Sequence, residues 1–95
     1  MNNNLQNKTL KNFTIKELKN KWDKTYYVIV NEDTQNEVYF CYQNKLNQDS
    51  WNLLSQNSSL SYSCYLEIEF EERYDSFSDK TFRHAVKLSK KIEHD

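Results

Sequence analysis

The sequence predicts a single, small, mostly β domain of five strands, with one short helix between the third and the fourth. The chain has 95 residues, and a chain of that length buries roughly 60–65% of its unfolded surface, enough for one core. Only 37% of the residues are hydrophobic, but 7 Tyr, 5 Phe and 2 Trp supply large buried areas. Short β-branched and aromatic runs recur from residue 13 onward, as in strands.

The first half of the chain predicts a tail and three strands. Residues 1–12 are polar and Asn-rich without periodicity, which predicts a flexible tail. Residues 13–18 begin with an alternation that then breaks, which predicts a first strand or a short helix. Residues 26–30 and 38–42 are β-branched and aromatic runs around the polar turn 31–36, so they predict a hairpin.

The helix is expected over residues 47–56. Asp49 or Ser50 can cap its N-terminus, and Asn57 can end it in place of glycine. Trp51 and Leu54 then share one face.

The second half predicts two more strands. Residues 63–72 alternate cleanly, with apolar side chains on one face and three glutamates on the other. Residues 73–80 read as a loop, and residues 81–92 as the last strand. The domain is therefore expected to span residues 13–92, with 93–95 as a short C-terminal end.

The order strand, strand, strand, helix, strand, strand is that of the OB-fold, a small, partly open Greek-key barrel. Residues 24–33 through 37–40 resemble the strand 2–3 hairpin of OB-fold single-stranded nucleic-acid-binding proteins, and residues 65–70 and 80–88 resemble their last two strands. The resemblance covers residues 13–92 at the level of pattern. It implies a five-stranded OB-fold-like Greek-key barrel.

The chain contains no glycine and no proline, whereas Asn occurs twelve times. Phosphate-cradling P-loops, dinucleotide fingerprints and nucleophile elbows all require glycine, so these sites are excluded. Turns must use Asn, Asp or Ser, because Asn and Asp tolerate positive φ best among the other residues. Where OB barrels often bend at glycine, Asn20 and residues 57–59 have to serve instead.

Cysteine content and hydropathy favour a soluble intracellular protein, cytoplasmic or, in a eukaryote, nuclear. No run of 18 apolar residues exists, and the N-terminus lacks the apolar segment of a signal peptide. Two cysteines are too few for a disulfide scaffold. No membrane partner is expected.

Charge is unevenly distributed along the chain, although the net charge is −1. Residues 1–24 carry +4, residues 25–72 carry −7 and residues 73–95 carry +2. A neutral domain lacks the electrostatic footprint of nucleic-acid binding, so a bound strand would need a local positive groove. Equally, lysine-rich and glutamate-rich strands can simply be neighbours in the sheet.

The resemblance implies a binding surface on strands 2 and 3 and on the loops after strands 1 and 4. Each loop carries an aromatic side chain among polar residues, Trp22 in the first and Phe77 in the second. Aromatics flanked by lysines suit unstacked bases and their phosphates. Alternatively, Trp22 folds over an open end of the barrel and Phe77 packs against Tyr74.

On the hairpin, alternation favours Val28, Val30, Val38 and Phe40 as core residues. Tyr27 and Tyr39 then face outward, as a stacking platform or as a cross-strand pair. The candidate nucleic-acid-binding residues are Lys21, Trp22, Lys24, Tyr27, Tyr39, Tyr74, Phe77 and Arg83.

Catalysis has little support in the sequence. His84 lies on the apolar side of the last strand, which favours a satisfied structural histidine over a catalytic base. Cys41 and Cys64 lack the CxxC spacing of zinc or redox sites. Neither a cofactor nor a metal is expected, and Trp51 is expected to plug the barrel. Two functions stay open: a module binding single-stranded nucleic acid, DNA rather than RNA, or a protein-interaction module such as an accessory subunit or a small inhibitor from a phage or mobile element.

Overall fold

The computed structural model describes residues 5–34, 37–56 and 64–92. The other residues, including Asn57, residues 57–59 and the C-terminal end 93–95, lie outside the described part. In chain order the elements are β1 (Gln6–Leu10), β2 (Phe13–Lys19), β3 (Thr25–Asn31), β4 (Val38–Cys41), α1 (Gln48–Ser55), β5 (Cys64–Asp75) and β6 (Lys80–Ile92).

All six strands belong to one mixed sheet in the order β1-β5-β6-β4-β3-β2. Neighbouring strands are antiparallel except β4 and β6, which are parallel. A mostly β fold with one short helix is thus confirmed, but there are six strands rather than five. The expected OB-fold-like Greek-key barrel is not confirmed, because within the described ranges β1 and β2 are edge strands with no ladder between them.

Part of the expected N-terminal tail is a strand. Residues Gln6–Leu10 form β1, which pairs with β5 from Gln6↔Phe70 to Leu10↔Leu66. Leu10 is 1% exposed, whereas the other four side chains of β1 are exposed. The hydropathy pattern does not predict β1, because this strand is held by its backbone pairing with β5 and by the buried side chain of Leu10. Residues 1–4 of the expected tail lie outside the described ranges.

The β3–β4 hairpin is confirmed, but its inward face is the opposite of the expected one. Tyr27 pairs with Cys41 and Ile29 with Tyr39, and all four side chains are buried in the core. The expected core residues Val28, Val30, Val38 and Phe40 lie on the other face, where Val28 alone is buried. Both faces of these strands are apolar, so alternation could not choose between them.

The core lies between one face of the sheet and α1. Leu54 is fully buried, and Trp51 packs edge-to-face on Tyr27 with ring centroids 5.1 Å apart. Trp51, expected to plug a barrel, is a partly buried residue that packs against the core of the sheet. The buried cluster consists of Leu10, Tyr27, Ile29, Tyr39, Cys41, Leu46, Leu54, Leu66, Ile68, Phe70, Ala85 and Leu88.

Helix α1 is docked on an irregularity of β6. The β5–β6 register shifts between Glu69↔Lys87 and Phe70↔Ala85, which leaves Val86 as the extra residue of a bulge. The Val86 carbonyl accepts from Asn47 N at 3.1 Å, and Leu88 N donates to Ser50 Oγ at 2.7 Å. Asn47 and Ser50 therefore bind backbone groups of β6 beyond His84, where its pairing with β4 ends.

The N-cap of α1 differs from the expected one. Asn47, not Asp49 or Ser50, caps the helix, and its Oδ1 accepts from Ser50 N at 2.9 Å. Ser50 is instead buried against β6. The N-cap thus lies two residues before Asp49 and three before Ser50, and the hydroxyl of Ser50 contacts Leu88 instead.

Half of the loop expected over residues 73–80 is strand. β5 continues to Asp75 and β6 begins at Lys80, so only the turn 76–79 joins them. Asp79 has φ 57° in this turn, and Asp23 has φ 63° in the turn between β2 and β3. Aspartate therefore takes the left-handed positions that glycine usually occupies, as expected for a glycine-free chain.

Within the described ranges, helices capable of crossing a membrane are absent.

Ser50→Ala tests the docking of α1. The variant leaves the amide of Leu88 without its partner in a buried place, which should lower the free energy of unfolding by about 1–3 kcal/mol. Urea denaturation followed by far-UV circular dichroism measures the change. Ser55→Ala, in the same helix but exposed, is the matched control. Equal midpoints for the two variants would contradict the role of Ser50.

Candidate functional site

A second set of aromatic side chains covers the sheet face opposite to the core. Because Tyr27, Ile29, Tyr39 and Cys41 face the core, the alternating residues of β3 and β4 point the other way. β6 adds two rings from the same face. We define the aromatic face as the half-buried side chains of Tyr26, Phe40, Tyr42, Phe82 and His84.

The rings of the aromatic face contact one another across three strands. Tyr26 and Tyr42 are stacked with centroids 5.3 Å apart, and Tyr42 lies 5.7 Å from His84. Phe40 packs edge-to-face on Phe82 at 5.7 Å. The parallel pairing Phe40↔His84 brings the β4 and β6 rings together. These contacts hold the rings in place before any ligand arrives.

A cleft of about 570 Å³ opens at one end of the aromatic face. Its lining is formed by Asn20, Lys24, Thr25, Tyr26, Tyr42, Gln43, Asn44, Lys45 and His84. These described residues include two lysines and neither Asp nor Glu. The cleft is therefore positive, although the chain as a whole carries −1.

His84 forms the floor between the aromatic face and the cleft, and its environment keeps the ring neutral. Burial is the largest cause that lowers its pKa, followed by the charges of Lys45 and Arg73, while Glu71 opposes them. The buried Nδ1 has no hydrogen-bond partner among the described residues. The expectation of a satisfied structural histidine is therefore wrong: His84 keeps an unused polar atom beside the cleft.

Trp22 projects from the turn between β2 and β3. Asn20 Oδ1 accepts from Trp22 N at 2.9 Å and from Lys24 N at 3.0 Å, which fixes the turn. Trp22 is 68% exposed, with Lys21 Nζ 4.7 Å from the centroid of its ring. It therefore does not fold over an end of the sheet, which was the alternative to an exposed role.

Phe77 projects from the turn between β5 and β6. Asp75 Oδ2 accepts from Ser78 N at 3.2 Å and from Ser78 Oγ at 2.7 Å. Phe77 is 98% exposed, so it does not pack against Tyr74. Tyr74 is also exposed, and its hydroxyl donates to Asp79.

Trp22 and Phe77 lie beyond opposite ends of the aromatic face. Trp22 precedes β3, which starts next to the end of β4 in the antiparallel pair. Phe77 precedes β6, and because β6 runs parallel to β4, it lies at the end where β4 begins. A chain crossing the aromatic face from end to end would meet both tips.

Three of the expected binding residues are engaged inside the protein. Tyr27 is 5% exposed and Tyr39 is fully buried, so the prediction of an outward tyrosine platform is wrong. The Tyr39 hydroxyl donates to Glu37, and burial together with that carboxylate raises the pKa of Tyr39. The guanidinium carbon Cζ of Arg83 lies 5.9 Å from the centroid of the Tyr39 ring, and Arg83 Nε lies 3.8 Å from Glu72 Oε2.

The sequence prediction missed the aromatic face and Lys45. Tyr26 and Tyr42 belong to predicted strands without a predicted role, and the alternation of the last strand predicts that Phe82 and His84 share its apolar side. The sequence contains one indication of this face. Three predicted strands each carry apolar or aromatic residues at two alternate positions, namely 26 and 28, 40 and 42, and 82 and 84. Such pairs indicate a sheet with rings on both faces.

The acidic stripe of β5 is matched by cations of the same hairpin. Glu67 lies 3.7 Å from Lys91, and Glu71 lies 2.8 Å from Arg73. The interpretation that lysine-rich and glutamate-rich strands are neighbours is thus confirmed by the β5–β6 pairing. Pairs of this kind in solvent stabilise little, but they cancel the acidic charge.

Potential nucleophiles and metal ligands are also accounted for. Burial raises the pKa of the Cys41 thiol to about 12, which leaves it protonated at neutral pH. Cys64 is buried as well. In the described part of the chain, clusters of three or more His, Cys, Asp or Glu side chains suited to a metal ion are absent.

The pKa of His84 is directly measurable. We expect it to lie below 6.5, because burial and two nearby cations disfavour the charged ring. As the pH falls, His84 therefore binds a proton at a higher pH in the unfolded chain than in the folded one. His84 does not lower the free energy of unfolding above pH 6.5, and it lowers that free energy increasingly below pH 6.5. An NMR titration of the two histidine signals, with His94→Gln used for assignment, gives the value. A pKa of His84 at or above 6.5 would be inconsistent with the structure.

Comparison with known proteins adds no relative to this description. Protein-family models, curated proteins and solved structures all lack a match to the chain. The aromatic face, the cleft and the two aromatic turns therefore have to support a functional proposal by themselves.

Proposed function

We propose that the protein is a non-catalytic, OB-fold-like module that binds single-stranded nucleic acid, with single-stranded DNA as the favoured ligand. One observation carries the proposal. An outward face of packed aromatic rings is flanked by Trp22 at one end and Phe77 at the other, and it opens into a cleft with two lysines and no acidic side chain.

The strand connections support the OB-like part of the proposal. β1 and β2 are separated only by Lys11 and Asn12, yet they pair with opposite ends of the sheet. If they count as two halves of one bent strand, the order becomes that of a partly open five-stranded barrel, with α1 between its third and fourth strands. The backbone bond from Glu32 N to Asn12 O, 2.9 Å long, lies at that bend.

The chemistry of the surface supports a single strand over a duplex. Stacking of one base on an aromatic ring contributes about 1–3 kcal/mol and needs the flat face of that base to be free. A duplex buries those faces within its own stack. The lysines of the cleft, Lys24 and Lys45, provide local positive charge for phosphates in a chain whose net charge is −1.

A protein-interaction module remains the second candidate. Phe77 at a turn tip, 98% exposed, is also the kind of anchor that a partner protein binds. The acidic stripe of β5 supports this candidate less than the sequence indicated, because Lys91 and Arg73 cancel part of its charge. Nucleic-acid binding separates the two candidates.

Trp22→Ala tests the proposed surface. Trp22 is exposed and makes no contact with the core, so the variant should fold normally and bind a labelled dT oligonucleotide about 5- to 150-fold more weakly. Fluorescence anisotropy measures the affinity at two salt concentrations. Trp22→Phe, which keeps an aromatic ring, is the matched control and should retain most of the affinity.

Phe77→Ala should weaken binding in the same assay, because Phe77 lies at the other end of the face. Labelled rU oligonucleotide and a DNA duplex complete the set of ligands. Wild-type binding should weaken steeply with salt and be tighter for dT than for the duplex. Absence of binding to every nucleic acid at tens of micromolar protein would refute the proposal and favour the protein-interaction module.

A further inference from the structure

We propose that the cleft holds one nucleotide of the bound strand, with its base against Tyr42 and its phosphate paired with Lys24 and Lys45. His84 then contacts the edge of that base and determines which base is preferred. This inference rests on the proposed function, because it assigns one position on the surface that the strand would cross.

The size of the cleft suits a nucleotide. Its volume of about 570 Å³ lies in the range of small-molecule sites, roughly 300–1,000 Å³. It also lies at the Trp22 end of the aromatic face, since its lining includes the base of the β2–β3 turn, Asn20 and Lys24. A strand that stacks on Trp22 therefore reaches the cleft directly.

The charges of the cleft are available to an anion. Neither Lys24 nor Lys45 forms an ion pair with a described residue, in contrast to Lys19 and Lys91. The charge of Lys45 helps to lower the pKa of Glu71, but the largest cause is the hydrogen bond from Arg73. Because Glu71 is bound to Arg73, both cleft lysines can still pair with phosphate oxygens.

The aromatic wall of the cleft is already organised. Tyr26 and Tyr42 stack at 5.3 Å with their planes 30° apart, so the position of each ring is fixed by the other. Burial is the main cause that raises the pKa of Tyr42, so its hydroxyl stays protonated at neutral pH. Because the ring is already held in place, the binding of a base to it costs little side-chain entropy in the protein.

His84 offers the specific contact at the inner side of the cleft. Its Nδ1 is buried and has no partner among the described residues, which costs free energy in the unbound protein. Because this nitrogen is buried, a base in the cleft contacts the accessible part of the imidazole ring, which lines the cleft. That part of the neutral ring presents a donor or an acceptor according to its tautomer, so it distinguishes bases by their edge groups.

Chemical-shift mapping by NMR with mononucleotides tests the inference. The probes are dTMP, dAMP, dCMP and dGMP, with thymidine and inorganic phosphate as the two halves of a nucleotide. We expect dTMP to shift the backbone signals of residues 42–45 and 84, to leave those of Phe77 unchanged, and to bind more tightly than thymidine or phosphate. One of the four mononucleotides should bind several-fold more tightly than the others.

Lys45→Gln provides the variant test. It should weaken mononucleotide binding by at least about fivefold, because it removes one of two phosphate contacts. Lys80→Gln makes the same change of charge at the other end of the face and is the matched control. His84→Gln should reduce the preference among the four bases more than the average affinity. Circular dichroism of each variant verifies that it is folded.

The outcomes separate this inference from the proposed function. If a dT oligonucleotide binds but mononucleotides do not shift residues 42–45, or Lys45→Gln equals Lys80→Gln, the cleft assignment is overturned and the proposed function stands. If mononucleotides bind the cleft but an oligonucleotide binds no more tightly, the proposed function is overturned and the cleft is a site for free nucleotides. Failure of both ligands overturns both proposals.

Discussion

The parallel pairing of β4 with β6 is the contact on which the rest of the structure depends. The register Tyr39↔Arg83 and Phe40↔His84 decides which side chains of both strands face the core and which face outward. It joins the β5–β6 hairpin to the β3–β4 hairpin, because β4 and β6 are the only neighbours in the sheet order that link those two units. Parallel strands require a long connection, which here contains α1. Asn47 and Ser50 of this connection bind β6 next to its bulge, so the connection is attached to the strand that pairs with β4.

A chain without glycine has to build tight turns with side chains, and this has shaped both ends of the aromatic face. Asn20 and Asp75 each accept two hydrogen bonds from groups of their own turn, and Asp23 and Asp79 adopt positive φ. Because these hydrogen bonds are formed within each turn, the turn does not depend on packing of the side chain at its tip. Trp22 and Phe77 can therefore remain in solvent, where a large apolar side chain is unfavourable unless a ligand covers it.

The distribution of charge gives the nearly neutral chain a local positive site. Most of the acidic residues of β5 lie opposite or beside cations of the β5–β6 hairpin, and their charges cancel over short distances. The cleft lies outside this pattern and retains Lys24 and Lys45. Net charge is therefore a poor guide to the anion affinity of this protein, since a phosphate interacts with the field of the cleft and not with the sum over the chain.

The sequence by itself determined that the chain is mostly β, with the β3–β4 hairpin, the short helix and the two aromatic turns, because alternation, β-branched runs and turn residues are local signals. It did not determine β1, whose only buried side chain is Leu10, or the inward face of β3 and β4, where Tyr26 and Tyr27 are equally apolar. Only the tertiary structure decided that face, through the parallel pairing with β6. The aromatic face and its cleft follow from that choice: a strand apolar on both sides acquires an inside only when a neighbouring strand and helix cover one of them.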